Sequence, residues 1–158
     1  MVYLVFTQGY TAAPGVPARG LLRDEAIRLG KLIAGLMPDE PEALGLVALM
    51  LLHDSRSAAR YSADGDVVLL EDQDRTRWDR AEIEEGIRLL DRALRHEAPG
   101  PYQLQAAIAA VHAQASTAEQ TDWARIAALY DRLGKLTPSP VIALNHAVAV
   151  AMTAGAET

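Results

Sequence analysis

The chain has 158 residues, 50% of them hydrophobic and 23% charged, with 15 Lys and Arg against 21 Asp and Glu for a net charge of -6. That is material for one domain with a sizeable core, and its acidic excess repels a phosphate backbone, so nucleic acid is not an expected partner of this domain itself. The absence of cysteine excludes disulfides, thiolate zinc sites and thiol nucleophiles, and fits a reducing compartment. Ala (29) and Leu (21) dominate while Gly (11) and Pro (8) are ordinary, which favours helix.

The chain opens in an apolar segment, Val2-Tyr3-Leu4-Val5-Phe6, without the basic start and small-residue cleavage site of a signal peptide. Leu22, Ala26, Leu29, Ile33 and Leu36 then recur at steps of three and four, predicting an amphipathic helix that ends before Pro38. A second helix, 42–52, is apolar all round and should be buried on most sides. The longest apolar run, 44–52, has nine residues, short of the about 20 needed to cross a bilayer. Asp64-Gly65 joins two short runs within 60–70 and predicts a small β-hairpin, with Val67 and Leu69, or their alternates Val68 and Leu70, packed on the helices.

Asp79-x-x-Glu82 resembles a capping box and heads a second amphipathic stripe, Ile83, Ile87, Leu90 and Leu94. The apolar helix 102–115 follows it. Thr121-Asp122 heads a third stripe, Ile126, Leu129, Leu133 and Leu136, followed by the apolar helix 141–152. The order, amphipathic then apolar, recurs at 22–53, 79–115 and 122–153, so the fold class expected is all-α, as helical hairpin repeats. Ala26, Gly30 and Pro38 match the second-helix spacing of the tetratricopeptide pattern, and Tyr130 and Pro138 repeat its last two positions.

The densest polar stretch runs from His53, Asp54, Arg56 and Arg60 across the expected hairpin to Glu71, Asp72, Gln73, Asp74, Arg75 and Trp78. Two readings stand: a binding site at the end of a buried helix, or a charge network that closes the surface. His53, His96, His112 and His146 show no metal-ligand spacing, and His112 and His146 lie in apolar helices where a core role is ordinary. Gly30 and Gly35 lack the Lys-Ser/Thr of a phosphate loop, and no Gly-x-Ser-x-Gly elbow occurs. No catalytic residue, metal or cofactor is therefore expected. Acid–base chemistry on the carboxylates of 71–79 would need a pocket that splits their pKa values.

Several strings are more distinctive than the repeat signature: Tyr3-Leu-Val-Phe-Thr-Gln-Gly-Tyr10, Glu42-Ala-Leu-Gly-Leu-Val-Ala-Leu-Met-Leu-Leu-His-Asp54, Leu69-Leu-Glu-Asp-Gln-Asp-Arg75 with Trp78-Asp79, Gly100-Pro-Tyr-Gln-Leu-Gln-Ala-Ala-Ile108, Thr121-Asp-Trp-Ala124 and Pro140-Val-Ile-Ala-Leu-Asn-His-Ala-Val-Ala149. In this order they resemble the tetratricopeptide-like C-terminal extension of a group of bacterial extracytoplasmic-function sigma factors. Thr7-Gln8, where Asn-Glu is expected, and His146, where Arg is expected, depart from the pattern.

The resemblance implies that 1–158 is a single regulatory domain behind sigma domains absent here, acting in the bacterial cytoplasm. Its implied partners are the sigma domains of the same polypeptide or core RNA polymerase, with DNA contacted only through the missing domains and no membrane partner. A small-ligand sensor with a polar pocket near 53–60 and 71–79 is the alternative.

Overall fold

The computed structural model describes residues 17–156, so the opening apolar segment and the string 3–10 lie outside the described residues. It is all-helical: α1 (Pro17–Leu36), α2 (Pro41–Asp54), α3 (Arg80–Leu94), α4 (Pro101–Gln114), α5 (Trp123–Leu136) and α6 (Pro140–Ala156). The starts follow the chemistry of helix N-termini. Asp79 Oδ1 accepts from the Glu82 amide at 3.1 Å and Asp122 Oδ1 from that of Arg125 at 3.1 Å, while proline opens α2, α4 and α6, where its missing N–H costs nothing.

Packing follows chain order. Each helix meets its successor, and the most extensive second-neighbour packing among the described residues is that of α2 on α4, with α1 also reaching α3 through the Lys31–Glu85 ion pair at 2.9 Å. The main core gathers Leu49 and Leu52 of α2, Ile83 and Leu90 of α3, Leu104 and Ile108 of α4, and Ile126, Leu129 and Leu133 of α5. A smaller cluster joins Ala26 and Ile27 of α1 to Val47, Met50 and Leu51 on the other side of α2. Gly45 sets the closest approach, because a Cβ there would lie 2.7 Å from Gln103 Cγ and 2.9 Å from its backbone nitrogen. At that crossing α2 and α4 have no room for a side chain.

Three expectations are corrected. The segment 60–70 forms no β-hairpin: it folds back through Ser62 N–H to Asp66 O (2.8 Å) and Val68 N–H to Arg60 O (2.8 Å), and makes one isolated bridge, Tyr61 to Val67. Val67 and Leu69 are 65% and 62% exposed, leaving no apolar side on which a ladder could be seated, and Leu70 alone reaches the core. On α1 the expected stripe is buried only in part: Ala26 is buried together with Ile27 and Gly30, small residues that let α1 lie close to α2, Leu29 and Ile33 are half-buried, and Leu22 and Leu36 face outward. The helix α6 is not buried on most sides, because α5 is its main neighbour among the described residues.

Candidate functional site

Much of the polar stretch is occupied in closing the fold. Trp78 is 3% exposed, and its indole N–H donates to Gln73 Oε1 (3.2 Å), whose amide donates in turn to Val68 O (3.2 Å). The Arg75 guanidinium lies over the Trp78 ring, 4.5 Å from its centroid. Its Nη1 donates to His112 O and Ala115 O, both at 2.9 Å, and so satisfies carbonyls at the end of α4 that the helix leaves open. Asp74 Oδ1 accepts from the Thr76 amide (3.0 Å) and hydroxyl (2.6 Å), starting the turn Arg75–Arg77. Arg60 stacks on Tyr61 at 5.9 Å.

A carboxyl pair sits beside this scaffold. Asp54, the last residue of α2, faces Arg23 at 3.5 Å and is hydrogen-bonded to Glu82 in the first turn of α3. Burial, then the hydrogen bond to Asp54 and the neighbouring charges of Asp54 and Asp79, hold the Glu82 carboxyl well above the usual carboxylate range. Among the described residues no group of three or more His, Asp or Glu could hold a metal ion.

Two adjoining cavities take the remaining residues. The inner one, about 360 Å³, lies where α2, α4, α5 and α6 meet, and His53 and Arg56 reach it. Sequence reasoning missed its other polar walls: Gln105 and His112 of α4, Tyr130 of α5 and Asn145 of α6. The outer one, about 720 Å³, is bordered by Glu71, Asp72 and Arg75 together with Glu119, Trp123 and Met152. Leu70 and His112 border both. Asp54, Arg60, Gln73, Asp74 and Trp78 border neither, so the expected cluster divides between scaffold and two separate walls.

The inner cavity has an unusual electrostatic character for an acidic chain, since no Asp or Glu lines it. Burial, with Arg56 and Arg60 nearby, holds the His53 pKa down to about 3; burial, with Arg56 and Arg75, holds that of His112 down to about 4. Both imidazoles are neutral at pH 7, and His112 also sets its ring edge-on to Trp123 at 5.5 Å. A sequence signal for this wall did exist. Gln105, Ile108, Ala109 and His112 share one face of α4 at helical spacing, as do Tyr130 and Leu133 on α5.

The fold and site thus define, over the described residues, an all-helical domain with two adjoining cavities that carry polar side chains on their walls. Residues 1–94 match a family of unknown function, DUF6596, and the chain belongs to that family. It is 55% identical over 158 residues to an uncharacterized protein of Rhizobium meliloti (strain 1021). The match covers 99% of this chain and 37% of that protein, so the chain spans little more than a third of its relative. No solved structure matches the chain.

Proposed function

We propose that the chain is a non-enzymatic regulatory domain of an extracytoplasmic-function sigma factor, tetratricopeptide-like in build. On this reading it works in the cytoplasm and modulates transcription initiation by contacting its own sigma domains or core RNA polymerase. The ordered strings at 42–54, 69–75, 100–108, 121–124 and 140–149 carry the reading. Two further observations support it: the related protein is much longer than this chain, with room for sigma domains, and helices packed in chain order suit a repeat array. The acidic charge suits docking on basic sigma or polymerase surfaces. The test is deletion of residues 1–158 from the parent protein, followed by promoter-specific transcription with core polymerase. Altered output or regulation is expected; unchanged output and regulation overturn the reading.

A second reading, ligand sensing, is favoured by the cavity that His53 and Arg56 share with α4, α5 and α6. A thermal-shift screen against metabolites tests it, since a ligand at 100 times its dissociation constant adds about 2.7 kcal/mol. No shift across a broad set removes it.

A further inference from the structure

We propose that the exposed side of α6 is the seat of a further helical hairpin of the same polypeptide, amphipathic helix first and apolar helix second, held as α3 and α4 are held on α2. The inference rests on the repeat-array part of the proposed reading and on none of its sigma-factor part. Pro41, Pro101 and Pro140 each open their helix, so positions along α2, α4 and α6 can be counted from the proline. The count sorts the three helices into matching sides.

The side turned to the preceding helix falls two, six and nine residues after the proline. On α2 it is Ala43, Val47 and Met50, all buried, with Ala26 and Ile27 of α1 clustered on the last two. On α4 it is Gln103, Ala107 and Ala110, again all buried. On α6 it is Ile142 and His146, half-buried, and Ala149, buried; Ile142 Cγ2 lies 3.6 Å from where a Cβ would stand on Gly134 of α5. This side of α6 has its partner.

Two other sides are closed on α2 and open on α6. Three and seven residues after the proline stand Leu44 and Ala48 of α2 and Leu104 and Ile108 of α4, all buried. On α2 the helix α3 supplies cover there, with Gly86 so near that a Cβ on it would lie 3.3 Å from Ala48 O. The counterparts on α6, Ala143 and Ala147, are exposed, and their size admits a helix equally closely. Four and eight residues after the proline, Gly45 and Leu49 are buried, and Gly45 lies against Gln103 of α4. Their counterparts Leu144 and Val148 are 64% and 49% exposed.

The chemistry of the occupant follows. No Asp, Glu, Lys or Arg occurs in 140–156, so an apolar stripe is all that the contact asks of it. Chain is available for it, because the related protein matches this chain over only 37% of its own length. A hairpin fits better than a second copy, which would bring another net charge of -6 to the same face.

The test is cysteine labelling of Leu144→Cys and Val148→Cys, made in the 158-residue chain, which has no cysteine, and in the parent protein with any other cysteine replaced. A maleimide is expected to react at both positions about tenfold or more slowly in the parent than in the chain, as for a side chain that must wait for local opening. A benzophenone maleimide at the same positions is expected to cross-link within one molecule, to a segment of the parent that reads as an amphipathic stripe followed by an apolar run. Equal labelling rates overturn the proposal, as does a cross-link to a second molecule or to a segment of any other pattern. Should one variant fail to fold, as circular dichroism would show, the other decides. Promoter-specific transcription reads the sigma-factor part alone, so its failure leaves the labelling result standing.

Discussion

The helices α2 and α6 read alike, as runs of Ala, Val and Leu with almost no charge, yet they end in opposite environments. Leu44 and residues 47–52 of α2 are buried in the core, whereas Val141 and Leu144 of α6 are each 64% exposed and Ala149 is the buried residue of that helix among those described. The neighbours make the difference: α1, α3 and α4 surround α2, while α6 leans chiefly on α5. Apolar composition states what a helix can bury. Its position in the stack decides how much of that is realised.

Leucine truncation should separate the two helices most widely. Leu49→Ala, at a residue 1% exposed, is expected to cost about 2–5 kcal/mol in denaturant unfolding, and Leu144→Ala less than about 0.5 kcal/mol. Equal costs would break the comparison. Glycine replacement sharpens it at the level of backbone approach. Gly45→Ala puts a Cβ against the Gln103 backbone and should cost about 1–3 kcal/mol, whereas Gly155→Ala, with nothing within 4 Å, should be neutral or stabilise by a few tenths of a kcal/mol.

Glu42, in the first turn of α2, has no counterpart on α6. Its two carboxylate oxygens accept from the Tyr102 and Gln103 amides at 3.1 and 3.0 Å, capping a helix 60 residues away in sequence. Glu42→Ala should lower stability by about 1–2 kcal/mol, and Gly100→Ala, whose Cβ would collide with the Glu42 carboxylate, should reproduce much of that loss.

A smaller effect is read from pH at the other end of α2. Glu82 has its pKa raised above the ordinary 4.5 in the folded chain, so its stabilisation is complete below about 4.5 and lost as pH rises through the native value. Unfolding free energy should therefore fall as pH rises from about 4.5 towards about 9, by about 1 kcal/mol for a half-buried group, and Glu82→Gln should flatten that fall. His53 acts in the opposite sense. Its native value of about 3 lies below the ordinary 6.5, so stability present above 6.5 drains away as pH falls towards about 3, and Glu82→Gln should leave the part of this limb below pH 4.5 in place.

Local chemistry was legible in the sequence. The expected helices 42–52, 102–115 and 141–152 correspond to Pro41–Asp54, Pro101–Gln114 and Pro140–Ala156, and the Asp79 cap was visible because both partners lie within four residues. What was not legible depends on partners distant in sequence. The face of α1 follows from how closely α2 approaches, the missing hairpin from the lack of an apolar platform, and the exposure of α6 from its neighbours. The same holds at the site. His53 and Arg56 were singled out for their polarity, but His112, Tyr130 and Asn145 stand among core-like residues, and only the meeting of four helices at one cavity sets them side by side.

Both ends of α4 are completed by residues that precede it. Glu42 supplies the acceptors at its start and Arg75 the donors at its finish, while α4 brings no side-chain cap of its own at Gly100. During synthesis from N- to C-terminus, both groups have left the ribosome before the first residue of α4 emerges. Chain growth therefore supplies the groups that complete both ends of this helix before the helix itself appears.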